Sequence, residues 1–156
     1  MKFLGHPVHQ MLVVFPLGLL ATAIIFDLIY LAGGGTTMAV VSYWMIAAGI
    51  IGGLIAAPFG WIDWFGIPSG TRAKAIGLWH GVGNVVVVLL FVISWLMRHD
   101  LPERPDALAL TLSFTGAGLA LLTGWLGGEL VDRLGIGVDE GAHPDAPSSL
   151  SHRVTR

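Results

Sequence analysis

The sequence predicts an all-α membrane protein: an up-down-up-down bundle of four transmembrane helices with both termini cytoplasmic. Three observations carry that expectation. Hydrophobic residues make up 54% of the 156 residues and charged residues only 12%, and the mean hydropathy of +0.78 lies outside the range of a soluble globular domain. Four apolar stretches each approach the ~20 residues that a helix needs to cross a hydrocarbon core of ~30 Å. The Lys and Arg residues of the links fall mainly on one side of those stretches.

The first span is expected over about Val8 to Ala32. Its apolar run is longer than the ~7–15 residues of a signal-peptide core and carries Asp27 near its far end, so it reads as a retained helix. His6 and Pro7 read as its start, with Pro7 at the first helical position. Pro16 removes one backbone hydrogen bond and frees the Leu12 carbonyl, which predicts a bend there. After the turn GGGTT, the second span is expected over Ala39 to Ile62. DWFGIPSGTRAK forms a longer link to the third span, Ala75 to Met97. LPERPD, with Pro102 and Pro105, then turns the chain into the fourth, Ala107 to Leu130. Residues 1–138 thus form one four-helix domain. Residues 139–156, including His143 and His152, form a polar tail with too little apolar content to fold alone, expected to be mobile.

Lys2, Arg72, Lys74, Arg133, Arg153 and Arg156 lie on one side of the spans and Arg98 and Arg104 on the other. That bias places both termini in the cytoplasm of a bacterium, the protein being multi-pass in its inner membrane. The net charge of −2 argues against a nucleic-acid partner. Membrane lipid, a second copy of the chain or a larger redox complex are the partners to expect. The absence of cysteine excludes disulfides, cysteine-held iron–sulfur clusters and thioether-linked haem.

Ionisable residues inside a span usually face the bundle interior or water and often mark function. His9 stands seven residues beyond Lys2 and His80 six beyond Lys74, so both lie roughly 10 Å inward from the same charged edge. In an up-down-up-down bundle their helices are diagonal, and two level histidines can reach one central object. Helical spacing places His6, His9, Val13, Pro16, Leu20 and Asp27 on one stripe and His80, Asn84, Val87, Phe91, Ser94 and Arg98 on another. Asp27 and Arg98 share the outer end, either as an ion pair or as two solvated charges. Asp63, flanked by Trp61 and Trp64, joins Glu129, Asp132 and Arg133 at the inner end, where pairing with Arg72, Lys74 or Arg133 is the plain alternative to a functional role. Ala48, Gly52, Ala56 and Gly60 on the second span, and Gly116, Ala120, Gly124 and Gly128 on the fourth, recur every four residues. Close helix packing explains them, and they also leave room for a flat ligand.

Across GHPVHQMLVVFPLGLL, APFGWIDWFGIPSGTRAKAIGLWHGVGN and GWLGGELVDRLGIGV the chain resembles a bacterial family of small four-helix membrane proteins of unknown function. Gln10 departs from that pattern, which commonly has proline after the second histidine. The resemblance implies a four-helix membrane fold, and its pattern picks out His6, His9, Asp63, His80, Asn84 and Glu129. The plan is also similar, at the level of fold alone, to b-type membrane cytochromes.

Three functions follow as expectations. In the first, the chain carries haem b in electron transfer, as a subunit beside a respiratory complex. His9 and His80 are then axial ligands, Arg72, Lys74 or Arg133 hold the propionates, and Asn84 or Glu129 hydrogen-bonds a ligand imidazole. In the second, His6, His9 and His80 with Glu129 or Asp63 hold a zinc, iron or copper ion. In the third, the polar residues are a satisfied network in a cofactor-free assembly subunit. No nucleophile–base pair and no phosphate-binding glycine loop is present. The apolar middle of both stripes disfavours a proton path.

Overall fold

The computed structural model describes residues 1–151; His152, Arg153 and Arg156 lie outside the described residues. An antiparallel pair of two-residue strands, β1 (Lys2–Phe3) and β2 (His6–Pro7), precedes the helices. These are α1 (Val8–Leu12), α2 (Val14–Leu31), α3 (Thr36–Phe65), α4 (Arg72–Met97) and α5 (Ala107–Gly128), the last widening into a π-helical turn at Glu129–Arg133. Four spans are long and apolar enough to cross a membrane: Val8–Leu31, Thr36–Phe65, Arg72–Met97 and Ala107–Arg133.

The breaks follow local chemistry. Pro16 has no N–H for the Leu12 carbonyl, and the first span is interrupted one turn earlier, where the Val13 amide still reaches His9 O at 3.0 Å. The expected helix start moves. Leu4 (φ 50°) and Gly5 (φ 87°) make a tight turn that pairs Lys2 with Pro7, so Pro7 is extended backbone at the helix N-cap and Val8 begins α1. Gly33 follows the end of α2 and Gly35 is the N-cap of α3, at φ 91° and 88°, backbone that a side chain would strain. Thr71 and Asp106 cap α4 and α5, their side chains accepting from the Lys74 and Ala109 amides.

The α3–α4 link is shorter than expected because both helices run on into it. Lys74 Nζ donates to Trp64 O at 2.8 Å, and Trp64 Nε1 donates to Lys74 O at 3.0 Å. This exchange satisfies carbonyls at the end of α3 that have no partner within the helix.

The helices form a ring: α2 against α3, α3 against α4, α4 against α5, and α5 back against α2, with α1 on α3. The first and third spans are therefore diagonal, as the sequence predicts. Leu20, Ala23, Ile46, Ile50, Val87 and Phe91 form the apolar core at mid-height. Outward residues such as Phe15, Trp44, Ile51, Leu54, Leu121 and Leu122 are exposed, the pattern of a bundle whose solvent is lipid.

Above that core lies a charged layer shared by all four spans. Arg98 and Asp27 are fully enclosed and form a two-pronged ion pair at 2.8 and 2.9 Å. The guanidinium also donates to Ser42 at 3.3 Å, Ser94 at 3.2 Å and Ser113 at 2.9 Å. Of the two readings open from the sequence, the ion pair is the one found. Hydrocarbon offers an isolated charge no partner, and here each charge has several.

Candidate functional site

His9 and His80 meet at the other end of the core. His9 lies on the short α1, and its Nδ1 is 3.1 Å from Ala56 O on α3. His80 lies within α4, and its Nδ1 is 2.8 Å from Thr123 O on α5. A carbonyl oxygen only accepts, so in each ring Nδ1 carries a proton and donates to it. The two ring centres are 6.5 Å apart, with planes at 89°.

Glycine makes the approach possible. A Cβ at Gly60 would lie 2.9 Å from His9 Cε1, and one at Gly127 would lie 3.0 Å from His80 Cε1. Each imidazole therefore occupies the room a missing side chain leaves, one turn along the neighbouring helix from the carbonyl that it bonds. Around His80 the polar contacts extend further. Asn84 Nδ2 donates to His80 Nε2 at 3.1 Å, and Asn84 Oδ1 accepts from Thr123 Oγ1 at 2.8 Å.

The remaining expected site residues are placed elsewhere. His6 is exposed in β2, 3.4 Å from the Ser149 hydroxyl of the tail. Asp63 pairs with the Met1 amino group. Glu129 pairs with Arg72 at 2.8 Å. Lys74 is held by the end of α3, with its ammonium 4.0 Å from the Trp64 ring centre, and Arg133 is exposed. The structure thus does not gather His6, Asp63 and Glu129 around His9 and His80. Among the described residues no three His, Cys, Asp or Glu side chains are placed to hold a metal ion.

The small-residue reading also needs correcting on the fourth span. Nothing lies within 4 Å of a Cβ built at Gly124 or Gly128; the seat for the imidazole is Gly127, one residue off the four-residue stripe. Thr123, whose carbonyl and hydroxyl both serve the site, and Ser42 and Ser113, which close the charged layer, were not singled out from the sequence. Spacing from the histidine's hydrogen-bonded neighbour was the signal available: Thr123 and Gly127 stand one turn apart, as Ala56 and Gly60 do.

Two inward nitrogen donors suit one coordination problem and not another. A bare zinc ion wants four protein or water ligands, whereas a porphyrin supplies the equatorial set and leaves two axial positions for the protein. Two imidazoles on opposite sides of one metal ion stand about 6 Å apart between ring centres, from bonds of about 2 Å. Here the ring centres are 6.5 Å apart and each Nδ1 faces a backbone carbonyl, the usual outer-shell partner of a ligating histidine, while His80 Nε2 accepts from Asn84.

No curated protein and no solved structure matches the chain. A family model matches residues 5–140, a stretch that contains all four spans and both histidines, and the chain belongs to that family, described as Predicted membrane protein (DUF2231).

Proposed function

We propose that this protein carries haem b in membrane electron transfer, with His9 and His80 as the axial ligands. The observation that carries the reading is a pair of imidazoles on diagonal spans with ring centres 6.5 Å apart, each with its Nδ1 on a backbone carbonyl; ligation by His80 would exchange the Asn84 contact on its Nε2 for the metal. Bound haem supplies a one-electron carrier. The chain's residues set its surroundings. The Ala56 and Thr123 carbonyls fix the orientation of the rings. Asn84, held by Thr123, is the donor that His80 Nε2 would leave on ligation. The Val87 and Phe91 layer keeps water from the site on its core side. Arg133, exposed at the same end of the bundle, is the cation that would meet the propionates, since Lys74 is engaged by α3 and Arg72 by Glu129.

Both termini and the histidine end face the cytoplasm in this reading, in a bacterial inner membrane, with the chain exchanging electrons with a larger respiratory complex. The test is the visible spectrum of detergent-purified protein, oxidised and then dithionite-reduced. A Soret band with sharpened reduced bands, lost in His80→Ala, is expected. A colourless protein that gains no band on adding haemin contradicts the proposal and leaves the histidines as a network that sets helix register.

A further inference from the structure

The two hairpins of the bundle are built on one plan. Adding 71 to positions of the first span gives the equivalent positions of the third, and adding 67 to those of the second gives those of the fourth. His9 and His80 correspond, as do Ala56 and Thr123, whose carbonyls they bond, and Gly60 and Gly127, on which they rest. One layer on, Leu20 packs on Gly49 as Phe91 packs on Gly116, where added Cβ atoms would stand 2.6 and 3.0 Å from the facing side chains. Ala23 and Ser94, Asp27 and Arg98, Ser42 and Ala109, and Ile46 and Ser113 are matched pairs, and all eight residues are fully enclosed. Matched packing at four levels is more than four-helix geometry requires, because any pair of antiparallel helices can meet at other registers.

We infer that the chain is a tandem duplication of a one-histidine helical hairpin, and that Asp27 and Arg98 are the residues that make each hairpin choose an unlike partner. Because the first and third spans run the same way, the two hairpins are related by a pseudo-twofold axis along the bundle. A position near that axis meets its own equivalent. Two first hairpins paired in this way would set Asp27 against Asp27, and two second hairpins would set Arg98 against Arg98, each a like-charge pair away from water. Only the unlike combination is neutral, and it is the one found, at 2.8 and 2.9 Å. The apolar faces alone discriminate poorly, since matched positions have similar shapes. The repulsion between like pairs supplies the difference in affinity, while the short link between α3 and α4 favours a partner from the same chain through effective concentration. Any pairing brings two histidines to the axis, and unlike pairing makes one of them His80, with its Thr123 and Asn84 contacts.

Full-length chains test this. Asp27→Arg gives a chain with two inner guanidiniums and Arg98→Asp one with two carboxylates, so neither closes on itself, and each should yield at least about tenfold less monodisperse protein than wild type. Expressed together under different tags, they can exchange hairpins, forming one native and one reversed ion pair. Recovery of monodisperse particles that carry both tags, beyond the mixing that two tagged wild-type chains show, is the expected result. No recovery on co-expression overturns the inference. A second measurement uses the doubly apolar variant D27L/R98M, which folds without the charges. It should form dimers in which first span meets first span several-fold more often than wild type in cross-linking between spans, and a wild-type cross-linking pattern in that variant overturns the selecting role of the charges.

Discussion

Gly60→Ala separates the site from the stability of the fold. The new Cβ would stand 2.9 Å from His9 Cε1 and 3.0 Å from Nδ1, against ordinary contact from 3.4 Å, so the ring must retreat by about half an ångström. Replacing glycine by alanine inside a helix contributes about 1 kcal/mol. Losing the His9–Ala56 hydrogen bond costs about 0.5–1.5 kcal/mol. The two nearly cancel, and the expected change in Tm is within about 4 °C for a chain of this size. Ligation is more sensitive, because an imidazole moved off its carbonyl no longer presents Nε2 at the same place. Haem content measured as pyridine haemochrome, alongside thermal unfolding in detergent, should show the fold retained and the haem lost or its low-spin bands gone. Gly124→Ala is the control, since nothing lies within 4 Å of its Cβ, and it should keep full haem. Equal haem content in the two variants would refute the claim that Gly60 seats the ligand.

Three further outcomes follow. Asp27→Leu leaves Arg98 enclosed without its carboxylate and should cost about 3–5 kcal/mol, whereas D27L/R98M should return to within about 1 kcal/mol of wild type; equilibrium unfolding decides, and a mild Asp27→Leu contradicts the enclosed pair. Arg72→Ala removes a pair whose Arg side chain is 61% exposed, so its effect on unfolding should stay below about 1 kcal/mol, and a larger loss would show that Arg72 does more than pair with Glu129. Asn84→Val places in the third span the residue type found at its equivalent, Val13. Haemin should bind more tightly in a titration, because the donor that occupies His80 Nε2 is gone, and an unchanged affinity contradicts competition between Asn84 and the metal for that nitrogen.

Much of this architecture was legible in the sequence because the membrane imposes it. Long apolar runs must be helices, and short links force antiparallel neighbours, so the spans and the diagonal placement of His9 and His80 follow from spacing alone. Helix ends were less legible. Pro7 becomes extended backbone because a turn at Leu4 and Gly5 pairs it with Lys2, and α3 runs on to Phe65, where Lys74 from the start of α4 donates to its last carbonyls. The site was half legible. Histidine and asparagine at four-residue spacing announce themselves in an apolar helix, but a backbone carbonyl such as Ala56 O leaves no mark in composition. Gly127 was hidden beside Gly128, since only the turn of α5 decides which of two adjacent glycines faces His80. Ser42, Ser94 and Ser113 are single small residues in long apolar helices, and the guanidinium that gathers them gives them meaning. The matched plan of the two hairpins escaped a reading by residue type because equivalent positions differ in chemistry, Asp27 against Arg98 most of all, while agreeing in burial and contact.

The most direct test of the central claim is electron paramagnetic resonance of the oxidised, purified protein, with haem quantified in the same sample. One haem per chain with the strongly anisotropic low-spin signal of two imidazoles whose planes are close to perpendicular, as the 89° between His9 and His80 requires, is the predicted result. A high-spin signal from singly ligated iron, or no haem signal at all, would contradict it.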